Sequence, residues 1–345
     1  MMISFYLHEI KLQKRKMKSV FLDMPECKME IISDDDNFLG FIKRSYYLFV
    51  KEKLTGIDLQ TKIYLHKKAK RERREIFISP FASMDKDLMV CFDGPLMVKI
   101  RKNPISFESF IRESMIKRLA KLIIRGKKRT MNDYYEFLSQ RVVRYPLFYF
   151  WETKGFHLHH SATVEKNGKA YLFIGFNKIG KSTTALSLSA KGFKIMSDNF
   201  ALVKKNKAYP YMRGMRVTDF VIKRIPNLRL KKLGIEGNKY QVQLDKKNFC
   251  YKPTKIEKIF FFKRTGDGFN CKKITKDDAL EQMLNIANIL GEYSIHHYIS
   301  FIPFFAKTKI AQDRIKKAKE LSNIPAYNVE YASIEDSLKI VGELE

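Results

Sequence analysis

The first hundred residues consist of short apolar runs that are separated by turn-forming residues. Such runs are typical of short β-strands, and groups of aspartate, proline and glycine are typical of the turns between them. The predicted strands cover residues 20–22, 38–42, 46–50, 76–78 and 88–92, with turns at residues 34–37, 79–80 and 93–95. We therefore expect a β-rich N-terminal region.

Two helices are predicted after this region. Over residues 106–125, apolar side chains recur at intervals of three and four residues, and Ser106 is suited to cap the first turn. Basic residues form a second stripe on the same predicted helix: Lys117, Lys121, Arg125 and Lys128. A helix with one apolar and one basic face can bind a phosphate backbone, although an ordinary solvated face explains the pattern equally well. The second helix is predicted over residues 131–142.

From about residue 150 onward, predicted strands and helices alternate. The strands cover residues 170–174, 193–197, 255–262 and 325–331, and the helices cover residues 181–191, 277–290 and 313–321. Gly192 is placed to end the first of these helices as a left-handed cap. The alternation predicts an α/β domain. We place the boundary within residues 145–155, so that residues 1–150 form an accessory region and residues 151–345 form the core.

The core contains residues 175–183, Gly-Phe-Asn-Lys-Ile-Gly-Lys-Ser-Thr, which we call the glycine-rich loop. This loop matches the pattern G-x-x-x-x-G-K-[ST] between a predicted strand and a predicted helix, although an ordinary strand-to-helix turn is the alternative. The glycines let backbone amides point into one nest for a triphosphate, at the positive end of the helix. Lys181 then reaches the β- and γ-phosphates, and the Ser182 hydroxyl binds magnesium. The predicted nucleotide-binding residues are Gly175, Asn177, Lys178, Gly180, Lys181, Ser182 and Thr183.

A histidine before this loop and an aspartate after it extend the pattern. The order is His160, the glycine-rich loop, a helix that ends in a basic residue and Gly192, and then Asp198 at a strand end. This order resembles the HPr kinase/phosphorylase family, in the phosphoenolpyruvate-carboxykinase-like group of P-loop kinases, over residues 155–335. The resemblance implies a mixed sheet flanked by helices, ATP bound by the glycine-rich loop, and magnesium bound by Ser182 and Asp198. It also implies that Asp198 acts as general base and that His160 and Lys181 belong to the same catalytic site.

Each of these assignments has a structural alternative. Asp198 is also suited to cap a strand end, and His160 is also suited to a structural role. The triplet of His160 with His157 and His159 raises the alternative of a metal site, but no matching Cys or His cluster follows in the sequence. Arg213 and Arg216 are candidates to bind phosphate or simply to lie on the surface.

One position departs from the family pattern. The family has two adjacent aspartates, whereas here Asn199 follows Asp198. Asn199 cannot supply a charged magnesium ligand, so we expect a kinase that works in the forward direction only.

The net charge points to the class of partner. There are 66 Lys and Arg residues against 37 Asp and Glu residues, a formal net charge of +29. A surplus of this size predicts a polyanionic partner such as RNA. A generally lysine-rich composition is the alternative, but it usually raises the glutamate content as well. Besides the helix stripe, we predict RNA contacts from Lys67, Lys68, Arg71, Arg74, Arg213 and Arg216.

Several features bear on the cellular compartment. The chain has no run of 18 apolar residues and no signal-like N-terminus, so we expect a cytoplasmic protein with no membrane partner. Cys27, Cys91, Cys250 and Cys271 lie far apart in the sequence and form no C-x-x-C pair, so we expect reduced thiols.

These observations leave three hypotheses for the function. The first is an ATP- and Mg²⁺-dependent kinase that phosphorylates a hydroxyl of a folded RNA. The architecture resembles the archaeal tRNA kinases that phosphorylate an internal ribose 2′-hydroxyl, and this resemblance implies tRNA as the substrate. The second is a protein serine kinase or a small-molecule kinase, because the core motif does not distinguish acceptors. The third is a nucleotide-gated RNA-binding module without catalysis, which Asn199 favours and the presence of both Asp198 and His160 disfavours.

Overall fold

The computed structural model describes residues 16–65, 76–79, 82–84, 87–93, 96–101, 106–111, 131–176, 178–225, 230–236, 239–266, 268–286, 310–333, 336 and 338–344. The described residues form mixed sheets and helices, which confirms the predicted α/β class. They fall into two compact units, one made largely of residues up to Phe150 and the other largely of residues from Trp151.

The N-terminal unit contains a mixed sheet. Its strands are β1 (Lys18–Met24), β2 (Cys27–Ser33), β3 (Val50–Lys51), β4 (Leu59–Tyr64), β5 (Ile76–Ser79), β6 (Ala82–Met84), β7 (Leu88–Asp93), β8 (Leu96–Arg101) and β9 (Ser106–Ile111). The order across the sheet is β3-β1-β2-β4-β9-β8-β7-β6-β5. Strand β4 pairs in parallel with β2 and β9, and the other pairs of neighbouring strands in this sheet are antiparallel. The strands predicted at residues 20–22, 76–78 and 88–92 are confirmed.

Two strand predictions in this unit were wrong. Residues 38–42 belong to helix α1 (Asp36–Ser45). The Asp35 carboxylate accepts a hydrogen bond of 2.7 Å from the backbone N–H of Phe38, so the aspartates that predicted a turn instead cap a helix. Residues 46–49 form a turn after this helix, and only Val50 of the predicted strand 46–50 lies in a strand.

The helix predicted over residues 106–125 was also wrong at its start. Residues 106–111 form β9, which lies between β4 and β8 and pairs with both. Phe107 and Phe110 are buried on opposite faces of this strand. Apolar and polar residues therefore do not alternate strictly, and the three-residue spacing of the two phenylalanines resembles that of a helix. Residues 112–130, which carry the predicted basic stripe, lie outside the described residues.

A helical segment follows from residue 131 to residue 153. It comprises α2 (Met131–Ser139), a π-helical turn (Gln140–Arg144) and α3 (Tyr145–Thr153). The predicted helix over residues 131–142 is therefore confirmed, and it continues further than predicted.

The C-terminal unit contains a second mixed sheet. Its strands are β10 (His157–His159), β11 (Ser161–Lys166), β12 (Lys169–Ile174), β13 (Lys194–Ser197), β14 (Ala201–Lys204), β15 (Lys207–Tyr209), β19 (Thr254–Arg264), β20 (Phe269–Lys273) and β21 (Ala326–Tyr331). The order is β10-β14-β15-β19-β12-β11-β13, with β21 beside β19 and β20 beside β21. Strands β12, β19 and β21 are parallel to one another. A separate small sheet has the order β16 (Met215–Val217), β18 (Lys239–Leu244), β17 (Leu230–Glu236).

The helices of this unit are α4 (Lys181–Ala190), α5 (Asp219–Arg224), α6 (Lys276–Ile286), α7 (Ile310–Leu321) and α8 (Val341–Leu344), with 3-10 turns at Lys246–Asn248 and Leu338–Ile340. Helix α5 contacts the small sheet, where Asp219 accepts a hydrogen bond of 3.2 Å from the Tyr240 hydroxyl. In the core, Met283 of α6 and Leu321 of α7 are buried together with Leu172 and Ile259 of the sheet. The predicted helices at residues 181–191 and 313–321 are confirmed. Of the helix predicted over residues 277–290, residues 277–286 are confirmed, and residues 287–290 lie outside the described residues.

Two further findings concern membranes and thiols. Within the part of the chain that the structure describes, no helix is both long and apolar enough to span a bilayer. All four cysteines lie in described segments, and none of them forms a disulfide.

Candidate active site

The strand directions place two loops at the same edge of the second sheet. Strands β12 and β13 both pair antiparallel with β11, so they run in the same direction. Gly175 follows the last residue of β12, and Asp198 follows the last residue of β13. The fold therefore brings together the glycine-rich loop and Asp198, which are far apart in the sequence.

Both glycines of the loop are required by close contacts beneath it. A Cβ atom on Gly175 would lie 2.9 Å from the backbone oxygen of Phe262, which is too close. Gly180 has a φ angle of +106° and precedes α4 as its N-terminal cap. A Cβ atom there would lie 3.2 Å from the Tyr331 hydroxyl oxygen. The ends of β19 and β21 thus pack closely against the loop.

Lys181 lies folded over the loop. Its Nζ donates hydrogen bonds of 2.7 Å to the backbone oxygen of Gly175 and of 2.8 Å to that of Phe176. The side chain is buried, so its charge is held inside the curve of the loop. Lys178 is exposed and has a φ angle of +63°, while Thr183 is half-buried in the first turn of α4. Asn177 lies outside the described residues.

Ser182 and Asp198 form a direct hydrogen bond. The Ser182 hydroxyl donates to Oδ1 of Asp198 at 2.5 Å. The side-chain amide of Asn199 donates to Oδ2 at 3.2 Å, so both carboxylate oxygens have a donor. The end of β13 is held against β11 by a 2.9 Å hydrogen bond from the Ser197 hydroxyl to that of Thr163. The carboxylate is therefore fixed beside the first turn of α4.

The environment of Asp198 acts on its ionisation in two directions. Burial raises the pKa of the Asp198 carboxyl above its ordinary value. The hydrogen bond from Ser182, the charges of Lys181 and Arg216, and the backbone of Asn199 oppose this rise in pKa without cancelling it. A carboxylate whose pKa is raised is a stronger proton acceptor, as a general base requires.

The oxygen ligands of this site fit magnesium. Mg²⁺ is typically bound by one or two carboxylates together with substrate phosphates and several waters. Ser182 and Asp198 present two adjacent hard oxygen atoms beside the loop, which matches that ligand set. Among the residues that the structure describes, no group of three or more His, Cys, Asp and Glu side chains could hold a metal by itself.

The three histidines occupy different environments. His160 is buried in the bend between β10 and β11, and its ring lies tilted against Phe200, with 5.8 Å between ring centroids. The backbone N–H of the next residue, Ser161, donates to the backbone oxygen of Asn199 at 3.2 Å, so His160 adjoins the Asp198 segment. His157 and His159 form a stacked pair in β10, with centroids 4.0 Å apart.

We expect the buried His159 to make the folded protein sensitive to acid. Burial lowers the pKa of His159 from 6.5 to about 4, and neither ring nitrogen has a hydrogen-bond partner. Because the unfolded chain binds a proton near pH 6.5 and the folded protein does not, stability falls as the pH drops from 6.5 toward 4. Titration of this group should lower the free energy of unfolding by about 2 kcal/mol between pH 8 and pH 5.

Urea unfolding at the two pH values measures this effect. The variant His159→Phe preserves an aromatic stack and cannot be protonated, so its stability should change less between pH 8 and pH 5 than that of the wild type. An equal change in the two proteins would contradict the prediction.

The predicted RNA-contacting residues differ in their placement. The positive charge of Arg216 lies near enough to lower the pKa of Asp198, and Arg216 is exposed at β16. Arg213 is half-buried just before that strand. The other predicted contacts lie outside the described residues: Lys67, Lys68, Arg71, Arg74, Lys117, Lys121, Arg125 and Lys128.

Tyr331 is a residue of this site that was not predicted from the sequence. Its side chain is buried and packs edge-on against Phe262, with 5.6 Å between centroids. Its hydroxyl has no hydrogen-bond partner in the described structure and lies against Gly180. Nothing near Tyr331 in the sequence signals this contact, because the parallel pairing of β19 with β21 creates it.

Two sequence comparisons identify no relative of this chain. No protein-family model matches the chain, and no curated protein matches it.

Proposed function

We propose that this chain is an ATP-dependent kinase with an HPr-kinase-like P-loop core, and that it phosphorylates a hydroxyl group of a folded RNA. The observation that carries the proposal is the hydrogen bond between Ser182 and Asp198 at the edge of the sheet where Lys181 is held inside the glycine-rich loop. A lysine for the phosphates, a hydroxyl for the metal and a carboxylate for the acceptor are the groups that phosphoryl transfer requires.

Each of these side chains has a defined role in the transfer. Lys181 exchanges the backbone oxygens of Gly175 and Phe176 for phosphate oxygens when a triphosphate enters the loop. The acceptor hydroxyl attacks the γ-phosphorus, the bond from that phosphorus to the β–γ bridging oxygen breaks, and the hydroxyl proton passes to the Asp198 carboxylate. Bound magnesium would neutralise charge on the phosphates, with Ser182 and Asp198 as its protein ligands. His160 adjoins the Asp198 segment and the charge of Arg216 acts on Asp198, so both are candidates to contact the acceptor.

The RNA acceptor is supported by charge. The surplus of +29 suits a phosphate backbone, because each contact from Lys or Arg releases counterions and adds affinity. A ribose 2′-hydroxyl is a suitable acceptor for a carboxylate base, and it also distinguishes RNA from DNA. A folded RNA of the tRNA class is therefore the acceptor that we propose.

Incubation with γ-labelled ATP and magnesium tests the proposal. Total RNA, total cell protein and a mixture of small hydroxylated metabolites are offered in parallel, with the Lys181→Ala variant as control. We expect label in a nuclease-sensitive band of tRNA size, and none with the variant. Label only in protein or only in metabolites would replace the RNA acceptor by that class. RNA binding without any label would make the chain a nucleotide-gated binding module.

A further inference from the structure

A row of lysines crosses the second sheet at the end opposite the glycine-rich loop. Lys207 of β15 pairs with Lys255 of β19, and Lys255 pairs with Lys169 of β12. Lys169 in turn pairs with Lys166 of β11 across the hairpin turn. At the other end of the row, Lys207 pairs with Lys204 of β14. We call these five lysines the lysine row.

The charges of the row face solvent. Lys169, Lys207 and Lys255 are exposed, whereas Lys204 and Lys166 are half-buried, and the Nζ of Lys166 lies 4.6 Å from the centre of the Phe193 ring. Lys169 forms an exposed ion pair of 3.1 Å with Glu257. Lys207 and Lys255 form no ion pair with any described residue. The exposed part of the row therefore keeps most of its positive charge.

This arrangement opposes folding. Neighbouring strands lie about 4.8 Å apart, so five strands set like charges side by side over a line of about 20 Å. Like charges that lie directly opposite each other across strands are destabilising. A polyanion bound along the row would turn this repulsion into attraction.

The basic surface continues past one end of the row. The turn before Lys207 contains Lys205 and Asn206. These residues line a cavity of about 360 Å³ together with Lys316 and Lys317 of α7, and the acidic residues Asp313 and Glu320 of the same helix also line it. A long polyanion that follows the row would meet this cavity next.

We propose that the lysine row binds the sugar–phosphate backbone of RNA and anchors the body of the substrate away from the site of phosphoryl transfer. A single line of charges matches a linear polyanion, whereas a membrane surface is typically bound by a broad patch that adds large apolar side chains. Strand β12 has six residues, so the row lies about 20 Å from the glycine-rich loop. Only an RNA longer than that distance contacts both places, which excludes mononucleotides and small metabolites as full substrates.

This inference rests on the RNA acceptor of the proposed function and adds the place where that RNA binds. The test compares the triple variant Lys169→Gln, Lys207→Gln, Lys255→Gln with a control triple of equal charge change, Lys272→Gln, Lys273→Gln, Lys276→Gln. The control residues are also exposed, but they lie in β20 and at the start of α6. Fluorescence anisotropy measures binding of a labelled transcript of tRNA size over a series of salt concentrations.

We expect the row variant to bind the transcript at least about tenfold more weakly and to lower the slope of log K against log salt by about two units. The control should match the wild type within about twofold. Thermal unfolding of the row variant should occur at a temperature equal to or above that of the wild type, because like-charge repulsion is removed. Phosphorylation of a short oligonucleotide should be unchanged in the row variant.

Other outcomes overturn the inference in distinguishable ways. Wild-type binding and slope in the row variant would reject the row while the RNA acceptor stands. Failure of the wild type to bind the transcript would reject both the row and the RNA acceptor. The labelling test with γ-labelled ATP would then decide whether the phosphoryl group is transferred to another acceptor. Unchanged RNA binding with lost binding to vesicles of phosphatidylserine and phosphatidylcholine would assign the row to a membrane instead.

Discussion

Replacement of Lys181 by alanine is expected to lower the rate of phosphoryl transfer by about three orders of magnitude. A cation on the γ-phosphate stabilises charge that develops in the transition state, and such groups are typically worth about 10³-fold or more in rate. Lys181 is the lysine that the loop encloses, since its Nζ already contacts two backbone oxygens of the loop. Single-turnover transfer of label from γ-labelled ATP measures the loss.

Measurement of the affinity of Lys181→Ala for RNA distinguishes a loss of catalysis from misfolding. Lys181 is buried in the loop, so its removal should leave the RNA dissociation constant within about twofold of the wild type. Lys191→Ala is the matched control, because Lys191 is an exposed lysine at the other end of the same helix. The control should transfer phosphate normally. Joint loss of transfer and RNA binding in Lys181→Ala would reject the separation of the loop from the RNA-binding surface.

The variant Asp198→Asn is expected to transfer phosphate at least about 100-fold more slowly, since general-base catalysis is typically worth 10²–10⁴-fold. The same change should stabilise the magnesium-free protein at neutral pH. Burial raises the pKa of Asp198, so the folded protein holds its proton more tightly than the unfolded chain does. Between the ordinary pKa of an aspartate and the raised value, stability therefore falls as the pH rises. Asparagine removes this cost and can still accept the hydrogen bond from Ser182.

Thermal unfolding without magnesium and turnover with magnesium measure the two effects. Asp245→Asn is the control, because Asp245 is an exposed aspartate that also accepts a local hydrogen bond, from the backbone N–H of Lys247 at 3.2 Å. The control should change neither quantity substantially. If Asp198 only terminates a strand, its variant would lose stability and keep its turnover, which is the opposite pattern.

Local chemistry made the core of the site predictable. The glycine-rich loop has its own backbone requirements, and the sequence pattern that meets them occurs in a single segment. The helix that follows the loop and its end near Gly192 were predicted correctly, and Gly192 has a φ angle of +90°. The sequence likewise placed Asp198 directly after a strand, as observed.

Two errors show where local pattern is insufficient. Residues 38–42 have the composition of a strand, but Asp35 caps a helix there and four apolar side chains of that helix are buried. Phe107 and Phe110 have helical spacing, yet β9 is buried on both faces between two partner strands. Neighbours that are distant in the sequence outweighed local preference in both places.

By itself, the sequence determined the α/β class, the glycine-rich loop and the excess of positive charge. These depend on the composition of short segments and on backbone geometry within a few residues. Only the tertiary structure decided that Asp198 meets Ser182, that Tyr331 lies under Gly180, and that five lysines from five strands form one row. Side chains from separate strands become adjacent only when their strands pair, so strand order and register determine these contacts. Strand order and register in turn depend on the packing of the whole sheet.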